Sequence, residues 1–112
     1  MLITVAELPE YIRRAERLLD ENERNRLIDH LAAHPESGKI MQGTGGIRKI
    51  RWARKGKGKS GGVRVIYYFY DETMPLFLLT VFGKNEKANL KKSERNELSA
   101  LTKKIVELYK RR

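Results

Sequence analysis

The chain has 112 residues, 40% of them hydrophobic and 34% charged, and its 24 Lys and Arg against 14 Asp and Glu leave a formal net charge of +10 at pH 7. That is material for one hydrophobic core, so residues 1–112 are read as a single domain. The absence of cysteine excludes a disulfide framework, a thiolate zinc site and a cysteine nucleophile. No signal pattern opens the chain and no run nears the roughly 20 apolar residues of a membrane span, so the expected setting is the cytoplasm, with no membrane partner.

The first element is a short β-branched run, Leu2–Ala6, which suits a strand. Pro9 then stands at a plausible first helical position, and Tyr11, Ile12, Ala15, Leu18 and Leu19 fall on one helical stripe. Asp20 followed by Glu23 is a capping-box pattern opening a second helix, whose apolar stripe of Leu27, Ile28, Leu31 and Ala32 runs on until Pro35. Residues 37–46 are glycine-rich and read as loop. Ile47–Ala53 and Val63–Tyr70 are β-branched and aromatic, joined by a Gly/Lys/Ser tip, and so form a hairpin. A turn at 71–75 leads into Leu76–Phe82, a continuous apolar run expected of a central strand. The last segment places Leu98, Leu101, Ile105, Leu108 and Tyr109 on one face of a helix. The order is βααβββα, an α+β domain with its helices expected against one face of a small antiparallel sheet.

Position sharpens the charge count. Residues 1–36 hold 5 basic and 8 acidic side chains, residues 37–70 hold 9 basic and none acidic, and residues 71–112 hold 10 basic and 6 acidic. Nine cations without a carboxylate must repel one another, face salt, or meet a polyanion, and nucleic acid is the leading partner.

Several motifs fail on context. Residues 56–61 spell G-x-G-x-x-G, but a strand follows where the dinucleotide fingerprint needs a helix. Gly58-Lys59-Ser60 resembles the end of a P-loop, yet Ala53 stands where its first glycine belongs. His30 and His34 have an i, i+4 spacing without a third ligand and read as surface histidines, so no metal site is assigned. Asp71 and Glu72 are explained by turn chemistry.

What remains is the basic sheet. Strand alternation sends Lys49 and Arg51 one way and Ile50 and Trp52 the other. Arg64 is a lone cation in an apolar strand, costly unless it is used. With the apolar sides turned to the helices, Lys49, Arg51 and Arg64 converge on an open face, joined by Lys84 from the end of the next strand and by the lysines of the tip. Such a surface can bind phosphates. It can also cleave RNA, whose own 2′-OH is the nucleophile, leaving an enzyme to orient it, move protons and stabilise phosphoryl charge. Crowded cations lower the pKa of a lysine towards the range of a useful base, so neither a cofactor nor a catalytic histidine is needed.

Three segments, Gln42–Arg51, Gly61–Phe69 and Leu79–Glu86, resemble the toxins of the RelE/ParE superfamily in its HigB-like branch, over nearly the whole chain. The resemblance implies the toxin of a type II toxin-antitoxin system, a metal-independent endoribonuclease that enters the ribosome, cuts mRNA in the A site and arrests translation. Its implied partners are the ribosome, mRNA and a cognate antitoxin with a helix-turn-helix DNA-binding domain, with operator DNA met only through the antitoxin complex. Arg64 then matches the arginine that stabilises the transition state, Lys49 and Arg51 the basic pair on the preceding strand, and Lys84 a cation near the leaving group. Arg48, Lys55, Lys57, Lys59 and Lys87 are expected to grip RNA. Asn85 stands where RelE carries an arginine, and Leu90 where a catalytic tyrosine is expected. Two other activities fit the same residues: a gyrase-directed toxin of the ParE kind, and a non-catalytic module binding RNA or ribosomes.

Overall fold

A computed structural model of the chain describes residues 2–53, 62–87 and 89–111. The elements run β1 Val5–Glu7, α1 Pro9–Leu18, α2 Glu21–Ala33, β2 Lys39–Ile40, β3 Ile47–Trp52, β4 Val63–Tyr68, β5 Leu76–Gly83 and α3 Lys92–Lys110. This is the expected α+β order with one short strand, β2, added inside the glycine-rich loop. Two exposed residues carry no periodicity, which is why β2 escapes detection in the sequence.

Local chemistry accounts for the helix ends. Pro9 occupies the first turn of α1, where its missing N–H costs nothing. At α2 both halves of the capping box form: Glu23 N donates to Asp20 Oδ1 at 2.7 Å and Asp20 N to Glu23 Oε1 at 2.8 Å.

The strands form one sheet in the order β1-β5-β4-β3-β2. β2 to β5 are antiparallel, but β1 lies parallel to β5, pairing Val5 with Leu76, so the sheet is mixed at that edge. The expected start at Leu2 moves to Val5 because the strand begins where its backbone meets β5. A bulge places Leu79 between the Ile66–Thr80 and Tyr67–Leu78 pairs, so alternation is kept on both sides of it.

The helices do not share one face. Tyr11, Ala15 and Leu19 of the α1 region and Leu27 and Leu31 of α2 pack on Val63, Val65, Tyr67, Leu76, Leu78 and Val81. The opposite side, with Ile47, Ile66, Tyr68, Phe77, Leu79 and Phe82, receives Leu98, Ile105, Val106 and Tyr109 of α3. The expectation of one covered face is thereby corrected: β4 and β5 are apolar on both sides, and both sides demand cover. The stripe of α3 is also rotated from the expected one, since Thr102 is buried while Leu101 and Leu108 are exposed.

Two tethers fix the chain between α2 and β3. The Tyr67 hydroxyl donates to Pro35 O and accepts from Gly38 N, both at 2.8 Å, and a Cβ on Gly38 would lie 2.7 Å from the Tyr67 ring. Thr44, almost fully buried, donates to Met41 O at 2.6 Å and accepts from Ile47 N at 3.1 Å, closing the turn into β3. At the turn 71–75, Thr73 N donates to Asp71 Oδ1 at 2.8 Å, the structural duty expected of that carboxylate.

Candidate active site and nucleic-acid interface

The cations lie on the sheet face against which α3 packs. Ile66 and Tyr68 of β4 point into the α3 core, so Arg64, two residues before Ile66, points to the same side. Arg51 stands directly opposite Arg64 in the β3–β4 ladder, and Lys49 opposite Ile66. Lys39 of β2 stands opposite Lys49. The alternation read from the sequence therefore does bring Lys49, Arg51 and Arg64 together. The tertiary pairing adds Lys39, which sequence reasoning placed in a loop.

Like charges facing each other across a ladder oppose folding. Here two such pairs, Lys39–Lys49 and Arg51–Arg64, sit on adjacent strand pairs. Arg64 is only 6% exposed, and burial followed by the neighbouring Arg51 pushes its guanidinium below the usual arginine range, although an arginine stays charged. Lys49 is half-buried. Burial first, then Arg64, Arg51, Arg95 and Lys39, hold its ammonium below the usual lysine range. An open groove of about 500 Å³ runs past these groups, lined by Ser37, Gly38, Lys39, Lys49, Ile50 and Arg51.

Two more residues reach the site from the far side of the chain. Lys49 Nζ donates to Asn89 Oδ1 at 3.0 Å, from the segment before α3, and Arg95 of α3 lies near enough to act on Lys49. Neither was visible in sequence, since forty residues separate Lys49 from Asn89 and no periodicity links them. Asn89 is held there by its surroundings. Lys87 makes a 2.6 Å ion pair with Glu94 and lies over the Phe82 ring, and Glu86 accepts from Gly83 N at 3.1 Å.

The remaining expected residues separate. Lys84 is exposed just past β5, its N–H donating to Gly62 O at 3.3 Å, which sets it beside the start of β4. Lys87 is engaged by Glu94 and Phe82 as described. Arg48 alternates away from Lys49 onto the α2 side, where it donates to Glu36 O at 3.0 Å and Gly38 O at 2.8 Å. Asn85 is exposed, and Leu90 is buried in the α3 core, contributing packing where a hydroxyl was expected. Lys55, Lys57 and Lys59 lie outside the described residues. Gly62 meets a steric demand: a Cβ there would lie 2.1 Å from Trp52 O.

On the other side of β3 the two histidines stand in an aromatic group. His30 and Trp52 have ring centroids 5.3 Å apart, as do His30 and His34. Among the described residues no group of three or more His, Asp or Glu gathers as metal ligands do, and no helix is long and apolar enough to cross a membrane.

The fold finds a counterpart in a solved structure. A double arginine-to-alanine mutant of the E. coli toxin RelE in the free state matches with a TM-score of 0.58 at 20% identity, over 91% of this chain and 98% of that one. That likeness establishes the fold. A family model described as the RelE toxin of the RelE/RelB toxin-antitoxin system matches residues 12–112, nearly all of the α1–α3 body on which the site is built. The chain belongs to the RelE toxin family.

Proposed function

We propose that this toxin is a metal-independent endoribonuclease that cuts mRNA in the ribosomal A site, with its chemistry carried by the cations of β3 and β4. The supporting observation is the Arg51–Arg64 pair, with Lys49 beside it, gathered on one side of the sheet beside an open groove lined by Lys39, Lys49 and Arg51. A fold does not keep such repulsion for its own stability, whereas a transferring phosphoryl group, with charge on its oxygens, answers it.

The 2′-oxygen attacks the adjacent phosphorus as its proton leaves. The P–O5′ bond then breaks and the 5′-oxygen takes up a proton, giving a 2′,3′-cyclic phosphate and a 5′-hydroxyl. Lys49, lowered in pKa and oriented by Asn89, is placed to take or return a proton. Arg64 and Arg51 stabilise the phosphoryl oxygens, and Lys84 stands towards the leaving group. The lysines of the tip and the remaining positive charge serve docking to ribosomal RNA, whose phosphates reward cations of any arrangement. Membership of the HigB-like branch rests on the three sequence segments. The same reading assigns a cytoplasmic toxin, silenced by an antitoxin that carries a helix-turn-helix domain and brings the complex to operator DNA.

Expression of the toxin should arrest translation with A-site cuts that persist in chelator, and Arg64→Ala should relieve the arrest. Intact messages in arrested cells would overturn the proposal, and induction of DNA damage in their place would turn it towards gyrase.

A further inference from the structure

The groove of cations continues into a second recess that the cleavage chemistry does not use. It holds about 400 Å³ and is lined by His30, Ser37, Ile50, Arg51, Trp52 and Ala53. Ser37, Ile50 and Arg51 line both spaces, so the two adjoin. None of the lining residues is acidic.

The recess forms because β3 loses its partner. β2 pairs only with Arg48 and Lys49, so from Ile50 onward this edge of β3 has no neighbouring strand among the described residues. Arg51 and Trp52 are consecutive, about 3.3 Å apart along the strand, with side chains on opposite faces of the sheet. A chain draped over that edge can therefore leave a phosphate with Arg51 on one face and turn its next group in beside Trp52 on the other.

The walls suit a flat aromatic group. Trp52 and His30 are each only partly buried, and their rings meet with centroids 5.3 Å apart and planes 45° apart, so together they form one partly exposed aromatic surface. That surface is fixed: Ser37 Oγ donates to His34 O at 2.9 Å, which leaves its oxygen to accept from His30 Nε2 at 3.1 Å and hold that ring in place. Ile50 and Trp52 anchor the other wall by packing on the α1–α2 core.

We propose that this recess is a nucleobase pocket, in which a single-stranded RNA whose phosphates follow Lys39, Lys49 and Arg51 places one unstacked base against Trp52 and His30. The inference rests on the RNA-cleaving reading for the identity of its ligand. Aromatic stacking accepts any base, while the adjoining cations demand a phosphate chain, and a nucleic acid supplies both in one molecule. The pocket positions the strand and takes no part in proton or phosphoryl transfer.

Trp52 is the single tryptophan, so its emission reports on this pocket alone. A short single-stranded RNA titrated into the free toxin at low salt should quench it saturably, and an abasic phosphodiester chain of equal length should not. Trp52→Ala should weaken RNA binding roughly 5- to 150-fold, the range of one lost stacking contact, while Trp52→Phe stays within a few-fold of wild type. Equal quenching by RNA and the abasic chain, no quenching by RNA, or quenching by an acidic peptide without any by RNA overturns the pocket. Arg64→Ala separates the two proposals: it should lower cleavage on ribosomes by about 10²–10³-fold and leave the RNA-induced quench in place. A wild-type toxin that quenches with RNA and never cleaves it would defeat the catalytic reading and keep the pocket.

Discussion

One face of the sheet carries two ends built by opposite rules. At one end Ile47, Ile66, Tyr68, Phe77 and Leu79 lie under α3, with each side chain adding to a dry core. At the other end Lys49, Arg51 and Arg64 stand on β3 and β4 on the same side, repelling one another, with Arg51 exposed, Lys49 half-buried and Arg64 buried. The boundary falls within β4, where Arg64 and Ile66 are two residues apart. Stability and chemistry are thus divided along a strand, and substitutions on either side of that line should fail in different ways.

The largest contrast is expected from Arg64→Ala against Leu79→Ala. Loss of Arg64 should lower single-turnover cleavage on ribosomes by about 10²–10³-fold. Removing one of two opposed arginines also relieves repulsion, which offsets the packing lost with its buried stem, so its melting temperature should fall less than that of Leu79→Ala. Leu79→Ala, 2% exposed under α3, should cost about 2–5 kcal/mol in denaturant unfolding and leave cleavage by the folded fraction intact. An Arg64 variant that unfolds as Leu79→Ala does would erase the division.

The next test uses pH. The folded protein holds the Lys49 proton less tightly than the unfolded chain, so stability should rise with pH between the lowered folded value and the ordinary 10.5. Lys49→Met should flatten that rise, measurable as unfolding free energy across alkaline buffers. Asn89→Asp places a carboxylate where the amide now accepts from Lys49, and should move the base-dependent limb of the cleavage rate to higher pH. Asn89→Ala should lower the rate without that displacement.

The smallest effect is expected at the clasp carrying Asn89. Hydrogen bonds from Lys87 and then from the Lys91 backbone hold the Glu94 carboxyl below 4.5. Its contribution is present above that value and lost as pH falls through the lowered one. Both partners are partly exposed, so Glu94→Gln should cost only about 0.2–1 kcal/mol near neutral pH. A cleavage loss larger than that stability loss would show the clasp acting through Asn89.

Much of this was legible in the chain. Asp20 and Glu23 announced the second helix, the apolar runs of β4 and β5 announced buried strands, and alternation placed Lys49, Arg51 and Arg64 with two opposed faces in view. These are local features, set by neighbours within four residues. What escaped was relational. The rotation of α3 that buries Thr102 and exposes Leu101 depends on where the helix lands, as does the engagement of Lys87 by Glu94.

The sequence by itself determined the elements, the family resemblance and the trio of cations, because backbone periodicity and side-chain type are properties of a segment. Only the tertiary structure decided that the helices cover both faces, that Arg64 is buried opposite Arg51, and that Lys39, Asn89 and Arg95 approach Lys49. It alone set His30 beside Trp52 at an unpaired edge. These depend on which surfaces meet, and burial of apolar area, which has no direction along the chain, chooses the meeting.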